Sequence, residues 1–399
     1  LLDTTMECLK ELVSFSASYN VLFVVGAPIS VLDTLYNCAI VIQGGKIHGI
    51  VPKQYLPNYG EFYEKRWFTA YTDYSLTSVN MFGEEIPFGN LIFSSSAGYR
   101  LGVEICEDLW SVIPPSSYLA LAGANIIANL SSSNELVGKD DYRRELIRTQ
   151  SSRTISAYLY TSTGDLVFGG SGYAFENGKK ISELKRYQME DQMEVFDVDI
   201  ESLTNERVSN KTFSDSKRNL NCTYREIRIS QLTTKTSLSR SVNAHPFVPT
   251  LDNDSRNRVC KEIISIQSTG LARRLSAIGN TKVTIGISGG LDSTLALLVC
   301  YDAFKKLNLD FSGIIGITMP GFGTTDRTYN NALRLCKELG ITLLEIPIRD
   351  ACMQHFKDIG HDPSIHDITY ENVQARERTK ILMNMANKHH GILVGTGDL

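Results

Sequence analysis

Residues 282–294 read Lys-Val-Thr-Ile-Gly-Ile-Ser-Gly-Gly-Leu-Asp-Ser-Thr, a short apolar strand pattern that runs into a glycine pair and then into a helical pattern. Glycine adopts positive φ without a steric penalty and lets other groups approach the backbone closely. Successive backbone N–H groups followed by a helix N-terminus form a cradle for an anion. The order of strand, glycine turn and helix therefore predicts a phosphate site at the end of a strand in an α/β domain.

The side chains of this turn suit a nucleotide phosphate and its metal ion. Ser288, Ser293 and Thr294 can donate to phosphate oxygens, and Asp292 can hold Mg²⁺, a hard ion that prefers carboxylate oxygen. The sequence has no G-x-x-x-x-G-K-[ST] pattern, so the turn is not a Walker loop. The alternative is an ordinary glycine–serine turn. Seven suitable residues in the expected order argue against it.

Strand and helix patterns alternate on both sides of the turn. Strands are predicted at 282–287, 312–318, 342–347 and 391–394, and helices at 258–275, 292–306, 326–339 and 372–388. Alternation with helices of this length indicates a doubly wound parallel sheet, which binds ligands at the carboxyl ends of its strands.

The N-terminal part of the chain shows short β-rich runs with helices between several of them. Strands are predicted at 21–25, 39–43, 100–105, 125–130 and 157–161, and helices at 2–15, 117–122 and 141–156. Some of these strands are apolar throughout, as strands covered on both faces are. We therefore predict an α/β sandwich up to about residue 245.

A polar stretch at 202–252 separates the two patterns and ends in His-Pro-Phe-Val-Pro at 245–249. Two prolines around an aromatic residue indicate an extended linker. We predict one domain over residues 1–245 and a second over residues 246–399. The chain opens inside a helical pattern and stops directly after a strand pattern, so the first domain is expected to be truncated at its N-terminus and the second at its C-terminus.

The composition is that of a soluble globular protein. The 399 residues carry a formal charge of −4, with 42% hydrophobic and 21% charged residues, and no basic stripe of the kind that binds nucleic acid. The longest apolar stretch, near 21–32, is interrupted by glycine and proline and is too short to span a bilayer. Eight cysteines without a C-x-x-C pair favour a reducing, cytoplasmic compartment.

The turn at 288–294 resembles the pyrophosphate-binding loop of the ATP pyrophosphatases, which include NAD, GMP and asparagine synthetases. Members of that family cleave ATP between its α- and β-phosphates and form an adenylated intermediate. The resemblance implies ATP and Mg²⁺ as cofactors, with Asp292 as a metal ligand. The ATP-binding residues that it implies are Ser288, Gly289, Gly290, Leu291, Asp292, Ser293, Thr294 and Thr396.

Three further segments resemble NAD synthetases in particular. They are Ile-Thr-Met-Pro-Gly-Phe-Gly-Thr-Thr at 317–325, Glu-Asn-Val-Gln-Ala-Arg-Glu-Arg at 371–378 and Gly-Thr-Gly-Asp at 395–398. The resemblance implies that Thr396 contacts ATP and that Asn372 contacts deamido-NAD. Arg376 and Arg378 stay open between ligand binding and an ordinary helix surface. The family's second Mg²⁺-binding glutamate is expected beyond Leu399.

Two segments of the first domain point to a thiol amidase. Cys106 ends an apolar strand in Gly-Val-Glu-Ile-Cys-Glu-Asp-Leu-Trp at 102–110, and Lys53 lies in Pro-Lys-Gln-Tyr-Leu-Pro-Asn-Tyr at 52–59. A single cysteine on a strand is usually a small buried hydrophobic residue. Together, however, the segments resemble the nitrilase superfamily, in the form of the glutaminase domain fused to NAD synthetases. That resemblance implies an α-β-β-α sandwich and a Glu-Lys-Cys triad.

The chemistry implied is nucleophilic release of ammonia from glutamine. A thiolate forms a thioester with the side chain of glutamine, and the ammonium group of Lys53 favours the thiolate and stabilises the oxyanion. Tyr59, Ser133 and Lys139 match positions that bind glutamine, although Ser133 can also be a plain loop hydroxyl. The general-base glutamate is expected to precede Leu1, and no residue of this chain is assigned to that role.

Two assignments remain open. Glu64 matches an auxiliary glutamate of these glutaminases, with a solvated surface position as the alternative. Tyr-Arg-Glu at 224–226 resembles a loop that couples the two sites in this family, with an ordinary solvated loop as the alternative. The segment 161–166 is shorter than the family's loop, so internal residues are expected to be absent there.

The combined resemblance implies ATP-dependent amidation of deamido-NAD to NAD through an adenylated intermediate, with ammonia released from glutamine and passed between domains. The expected ligands are deamido-NAD, ATP and glutamine, with no nucleic acid and no membrane, and the protein is expected to be a homo-oligomer. One alternative is another amidotransferase of the ATP pyrophosphatase group, such as a GMP-synthetase-like enzyme with a Cys-His-Glu glutaminase. The other is a non-catalytic sensor of ATP or deamido-NAD.

Overall fold

The computed structural model describes residues 1–72, 75–163, 169–188, 190–220, 222–230, 240, 244–245, 252–323 and 326–396. The chain divides into two compact units, Leu1–Val242 and Asn243–Leu399. The domain boundary between residues 245 and 246 stays a prediction. The proline-containing segment 246–249 lies outside the described residues, as do 164–166, 324–325 and 397–398 of the motifs above.

The first unit is built from short strands and a few helices. Its strands are β1 (Phe23–Val31), β2 (Thr34–Gln43), β3 (Lys46–Pro52), β4 (Ser78–Met81), β5 (Glu84–Pro87), β6 (Leu91–Ser94), β7 (Arg100–Ile105), β8 (Ile126–Ser131), β9 (Ala157–Ser162), β10 (Gly172–Glu176), β11 (Lys179–Glu183) and β12 (Arg225–Arg228). Its helices are α1 (Leu2–Ser16), α2 (Pro115–Leu121), α3 (Lys139–Thr154), α4 (Ile200–Ser209) and α5 (Lys211–Ser216).

Two sheets form the centre of this unit. Among the described residues, β1, β2 and β3 make an antiparallel sheet, and a larger mixed sheet has the order β11-β10-β9-β8-β7-β6-β12. In the larger sheet β7, β8 and β9 are parallel, so their carboxyl ends share one edge. The nucleophile candidate Cys106 follows β7 at this edge.

The two sheets face each other, and helices cover their outer faces. Ala39 and Val41 of β2 pack with Phe93 and Val103 of the larger sheet, whereas Ile40 of β2 points the other way, into a cluster with Leu9 of α1. This alternation is the period of two expected of a strand. The outer face of the larger sheet is covered by Leu119 of α2 and Ile147 of α3, packed with Ile127 and Tyr158. The predicted α-β-β-α sandwich is therefore confirmed.

The polar stretch that follows is more ordered than its composition indicates. Within it, α4 and α5 bury Leu203 and Phe213 against Ile155 and Ala157. Arg207 of α4 donates to the carbonyl oxygens of Ala124, Thr154 and Ile155 at 2.7–2.9 Å. The polar composition did not predict these two helices, because each of them buries only one apolar side chain.

The solvated loop considered for residues 224–226 is half right for its last two residues, whose side chains are exposed but whose backbone is a strand. Arg225 and Glu226 begin β12, which pairs in parallel with β6 and forms the last strand of the larger sheet. Ile229 then packs between the sheets. Beyond it, the backbone N–H of Ser230 donates to Oε1 of Gln43, 187 residues earlier, at 3.0 Å.

The second unit alternates strands and helices. Its strands are β13 (Val283–Gly286), β14 (Ile314–Thr318), β15 (Thr342–Glu345) and β16 (Ile392–Val394). Its helices are α6 (Asn253–Ile278), α7 (Leu291–Leu307), α8 (Asp326–Glu338), α9 (Arg349–Ile359) and α10 (Ile368–Lys388). The strand order is β15-β14-β13-β16, and all three described pairings are parallel.

Helices cover both faces of this sheet. Leu275 of α6 and Leu297 of α7 pack with Ile285 on one face, and Phe356 of α9 and Val373 of α10 pack with Ile317 on the other. The predicted doubly wound parallel sheet is confirmed, although α9 was not predicted. Among the described residues, no helix of either unit is both long and apolar enough to cross a bilayer.

Candidate active sites

Cys106 lies where β7 gives way to a short 3₁₀ helix, Cys106–Trp110. Its φ is +48°, in the left-handed region that non-glycine residues seldom adopt. Its backbone N–H donates to Oδ1 of Asn129 on β8 at 3.1 Å, which fixes the peptide in this conformation. The thiol is partly exposed, with Sγ 3.8 Å from the carbonyl oxygen of Ser132. Strained backbone of this kind concentrates at active sites.

Lys53 directly follows β3 and is almost fully buried, with 3% of its side chain exposed. Its Nζ lies 2.5 Å from Oε2 of Glu64, and Oε1 of Glu64 accepts from Nδ2 of Asn37 at 2.6 Å. A buried ammonium needs such a partner, because an unpaired buried charge is strongly unfavourable. The solvated alternative for Glu64 is therefore wrong, since this carboxylate is the counter-ion of Lys53.

One cavity of about 720 Å³ brings these groups together. Its walls include Cys106, Lys53 and Glu64, together with Phe62 and the hydroxyl-bearing Ser132. This volume is typical of a small-molecule site. The cavity therefore combines a thiol, a buried ammonium and its paired carboxylate.

Tyr59, Ser133 and Lys139, the predicted glutamine-binding residues, are not among the residues that line this cavity. The hydroxyl of Tyr59 donates to the carboxylate of Glu107, next to the candidate nucleophile. Burial and that hydrogen bond raise the pKa of Tyr59 to about 12. The buried hydroxyl of Ser133 accepts from Nη2 of Arg143 at 3.4 Å.

Lys139 begins α3 and is held by its neighbours. Its ammonium donates to Oδ1 of Asn134 and lies over the rings of Trp110 and Phe62, 5.2 and 5.8 Å from their centroids. Burial, and then the charge of Arg143, lower the pKa of Lys139. Because Phe62 also lines the 720 Å³ cavity, a cation lies close to its wall.

Several buried residues around Cys106 escaped the sequence analysis. Asn129 holds the Cys106 peptide and also donates from Nδ2 to the hydroxyl of Tyr158 at 3.0 Å. That hydroxyl donates in turn to the fully buried Glu104, whose pKa is raised by burial. Burial raises the pKa of Glu107 in spite of Lys53 and Lys139. The only signal available was the acidic pair that directly follows Cys106 in the sequence.

The phosphate turn of the second unit has the predicted backbone form. Gly289 has φ +79°, and a Cβ at that position would lie 2.0 Å from the carbonyl oxygen of Thr328. Gly290 is extended and directly precedes α7. The backbone N–H of Gly290 meets Oγ of Ser288 at 3.3 Å, and that oxygen lies 3.0 Å from Oγ of Ser293. Only glycine fits at position 289, because any side chain there would clash with the backbone of α8.

A second cavity, of about 840 Å³, opens beside this turn at the carboxyl ends of β13 and β14. Of the predicted ATP-binding residues, Ser288, Gly290, Ser293 and Thr396 line it. Gly289, Leu291, Asp292 and Thr294 do not, although they share the same turn and first helical turn. Leu291 is 87% exposed, and Thr294 donates from its hydroxyl to the carbonyl oxygen of Gly290 at 2.8 Å.

Helix α10 supplies the opposite wall of this cavity. Arg378 lines it and is half-buried, and burial lowers the pKa of its guanidinium, whereas Arg376 is exposed. Asn372 does not line the cavity, but Glu371 does. The helix begins at Ile368, four residues before Asn372, because the side chain of Asp367 accepts from Thr369 and Tyr370.

Asp292 is the acidic residue in the first turn of α7, and its side chain is exposed. Within the described part of the chain, no cluster of three or more His, Cys, Asp and Glu side chains is placed to hold a metal ion. Mg²⁺ commonly binds through one or two carboxylates and completes its shell with phosphate oxygens and water. A single carboxylate beside a phosphate turn fits that pattern.

Known proteins are similar to this chain in both of its units. The family model described as NAD synthase matches residues 263–399. The whole chain is 40% identical to the glutamine-dependent NAD(+) synthetase of Mycobacterium leprae and covers 61% of it. The protein of the same name from Thermotoga maritima aligns with 92% of the chain at 31% identity, and the chain covers 59% of that protein.

Among solved structures, the glutamine-dependent NAD+ synthetase from Acinetobacter baumannii in complex with adenosine diphosphate aligns with 99% of this chain and 64% of that chain. The identity is 21% and the TM-score 0.40. The chain spans about three fifths of the length of the two curated relatives named above. Along its whole length, the chain is therefore similar to glutamine-dependent NAD(+) synthetases, and its residues 263–399 match the NAD synthase family model.

Proposed function

We propose that this protein converts deamido-NAD to NAD with ATP, using ammonia that it releases from glutamine. One observation supports this most directly. A thiol, a buried lysine and its glutamate line one cavity of the first unit, and a phosphate turn lines a second cavity in the second unit. The first set of groups suits nucleophilic hydrolysis of an amide, and the second suits binding of a nucleotide phosphate.

In the first unit, Sγ of Cys106 attacks the carboxamide carbon of glutamine. The ammonium of Lys53 stabilises the oxyanion that develops, and Glu64 holds that ammonium in place. The C–N bond breaks, ammonia leaves, and water hydrolyses the thioester to glutamate. Tyr59, Ser133 and Lys139 are proposed to bind glutamine, with the Lys139 ammonium suited to its α-carboxylate.

In the second unit, the nicotinate carboxylate of deamido-NAD attacks the α-phosphorus of ATP, and pyrophosphate leaves. Ammonia then attacks the adenylated carbonyl carbon, and AMP leaves. Backbone N–H groups at 289–290 and the N-terminus of α7 are proposed to hold the leaving phosphates, with Thr396 as a further ATP contact. Bound at Asp292, Mg²⁺ would neutralise charge on the pyrophosphate. Asn372 is proposed to contact deamido-NAD. Arg378 is a better candidate than Arg376 for a second contact, because Arg378 lines the cavity.

The lining of the Cys106 cavity bears on the first alternative, and an assay tests the second. A GMP-synthetase-like amidotransferase carries a Cys-His-Glu glutaminase, whereas the described lining of the Cys106 cavity holds Lys53 and Glu64 but no histidine. A sensor would bind ATP or deamido-NAD without turnover. The homo-oligomeric state and the cytoplasmic location remain predictions.

The test is to incubate the intact protein with Mg²⁺, ATP and deamido-NAD, and with either glutamine or ammonium chloride. We expect NAD and AMP in equal amounts from both nitrogen sources, and glutamate only from glutamine. Xanthosine monophosphate in place of deamido-NAD serves as the control and should give no AMP. Nucleotide binding without NAD from either nitrogen source would favour the sensor instead.

A further inference from the structure

The buried carboxylate of Asp108 joins the two chain segments that carry Lys53 and Cys106. Its Oδ1 accepts from the backbone N–H groups of Gln54 and Tyr55, the two residues after Lys53, at 3.1 and 2.9 Å. Its Oδ2 accepts from the N–H of Ile105, the residue before Cys106, at 2.8 Å. Asp108 therefore contacts the backbone on both sides of the candidate reaction centre.

Capping of the short helix explains only one of these bonds. The bond from Ile105 satisfies the N-terminus of the 3₁₀ helix Cys106–Trp110, as a cap does. The two bonds to Oδ1 come from a segment about fifty residues earlier and contribute nothing to that helix. The ionised carboxylate that accepts these bonds is unfavourable at this position. Asp108 is 2% exposed, and burial, together with the nearby Glu104, raises its pKa to about 7.

We propose that Asp108 is a positioning residue that fixes the Lys53 ammonium relative to the Cys106 thiol. This rests on the proposed amidase function. Lys53 is then held at two points, through Glu64 at its ammonium and through Asp108 at the peptides that follow it. The Cys106 turn is likewise held by Asp108 at Ile105 and by Asn129 at its own N–H. Reacting groups must be held this closely for full activity.

The test compares Asp108→Asn with Glu176→Gln in the intact protein. Asparagine has nearly the same shape but turns an NH₂ group toward backbone donors. Glu176 is a control carboxylate of the same unit, also buried, bound to the N–H of Asp199 and to Arg240 instead of to this site. We expect D108N to lower kcat for glutamine hydrolysis about a hundredfold with KM changed less than about threefold. Ammonia-dependent NAD synthesis should be unchanged in both variants.

Three results would separate the possibilities. Wild-type kcat in D108N would overturn the positioning role, and so would a parallel fall of kcat, thermal midpoint and ammonia-dependent rate, because that pattern is general destabilisation. Wild-type protein that releases no glutamate would contradict the proposed function itself.

Hydrogen exchange of the wild-type protein tests the bridge without any variant. The amide protons of Gln54, Tyr55 and Ile105 should exchange slowly and with similar protection, since one carboxylate accepts from all three. Exchange of Gln54 and Tyr55 at the rates of an unstructured peptide would overturn the proposal.

Discussion

The two sites organise charge in different ways. In the cavity beside Cys106, Lys53 and Glu64 are 3% and 14% exposed and neutralise each other before any substrate arrives. At the phosphate turn, Ser288 and Asp292 are exposed, and the turn offers mainly backbone donors and a helix N-terminus. The first site is thus preorganised by side-chain partners, whereas the second depends on its ligand to complete the charge balance. Mutations should therefore separate the two activities cleanly.

The largest effect is expected from Cys106→Ala. It removes the proposed nucleophile, so glutamine-dependent NAD formation should fall about ten-thousandfold. Ammonia-dependent synthesis should be unchanged, because the thiol lies in the cavity of the first unit. The measurement is the rate of NAD formation with each nitrogen source, and Cys8→Ala, at an exposed thiol of the same unit, is the control. Equal loss of both activities would mean that the sites are not independent.

Asp292→Ala should have the opposite selectivity. Loss of the proposed Mg²⁺ ligand should lower synthesis about a thousandfold with either nitrogen source, and glutamine hydrolysis should persist. NAD and glutamate are measured in parallel across a Mg²⁺ titration. Asp254→Ala is the matched control, since Asp254 is the acidic residue in the first turn of α6. Full synthesis in D292A would remove this carboxylate from the metal site.

Glu64→Gln tests the buried ion pair. Leaving Lys53 without its counter-ion costs about 3 kcal/mol or more of stability. An ammonium that is no longer held in place should also lower glutamine hydrolysis about a hundredfold. Ammonia-dependent synthesis should not change. Glutamate release is the measurement, and Glu61→Gln, at an exposed neighbouring position, is the control. Unaltered hydrolysis in E64Q would show that the pair is structural only.

The smallest effect is expected from Gly289→Ala. The new Cβ would meet the carbonyl oxygen of Thr328, so the turn must shift, and synthesis should fall about tenfold with a raised KM for ATP. Gly279→Ala is the control, because Gly279 also has positive φ but no heavy atom lies within 4 Å of its ideal Cβ. It should lose about 1 kcal/mol of stability and no activity. Similar kinetics for the two variants would show that close approach at Gly289 does not matter.

The same contrast governs how much the sequence could predict. The phosphate turn consists of seven contiguous residues, so its backbone form and place after a strand could be predicted. The Cys106 site draws on distant segments, and pairing of Glu64 with Lys53 became visible only in the fold. Asp108 and Asn129 were missed because a residue that accepts from backbone groups across the structure leaves no periodic pattern. Helix α10 was predicted to begin near Asn372 because the capping role of Asp367 was not recognised.

The position of β12 has a consequence for synthesis of the chain on the ribosome. This strand pairs with β6, and Ser230 beyond it bonds to Gln43, 187 residues earlier. Until residues 225–230 have emerged, β6 is an open sheet edge, which invites pairing with other chains. Closing contacts between such distant residues is also intrinsically slow. The first unit therefore completes its larger sheet late in translation, and a chain cut before Arg225 should be prone to aggregate even though it retains Cys106, Lys53 and Glu64.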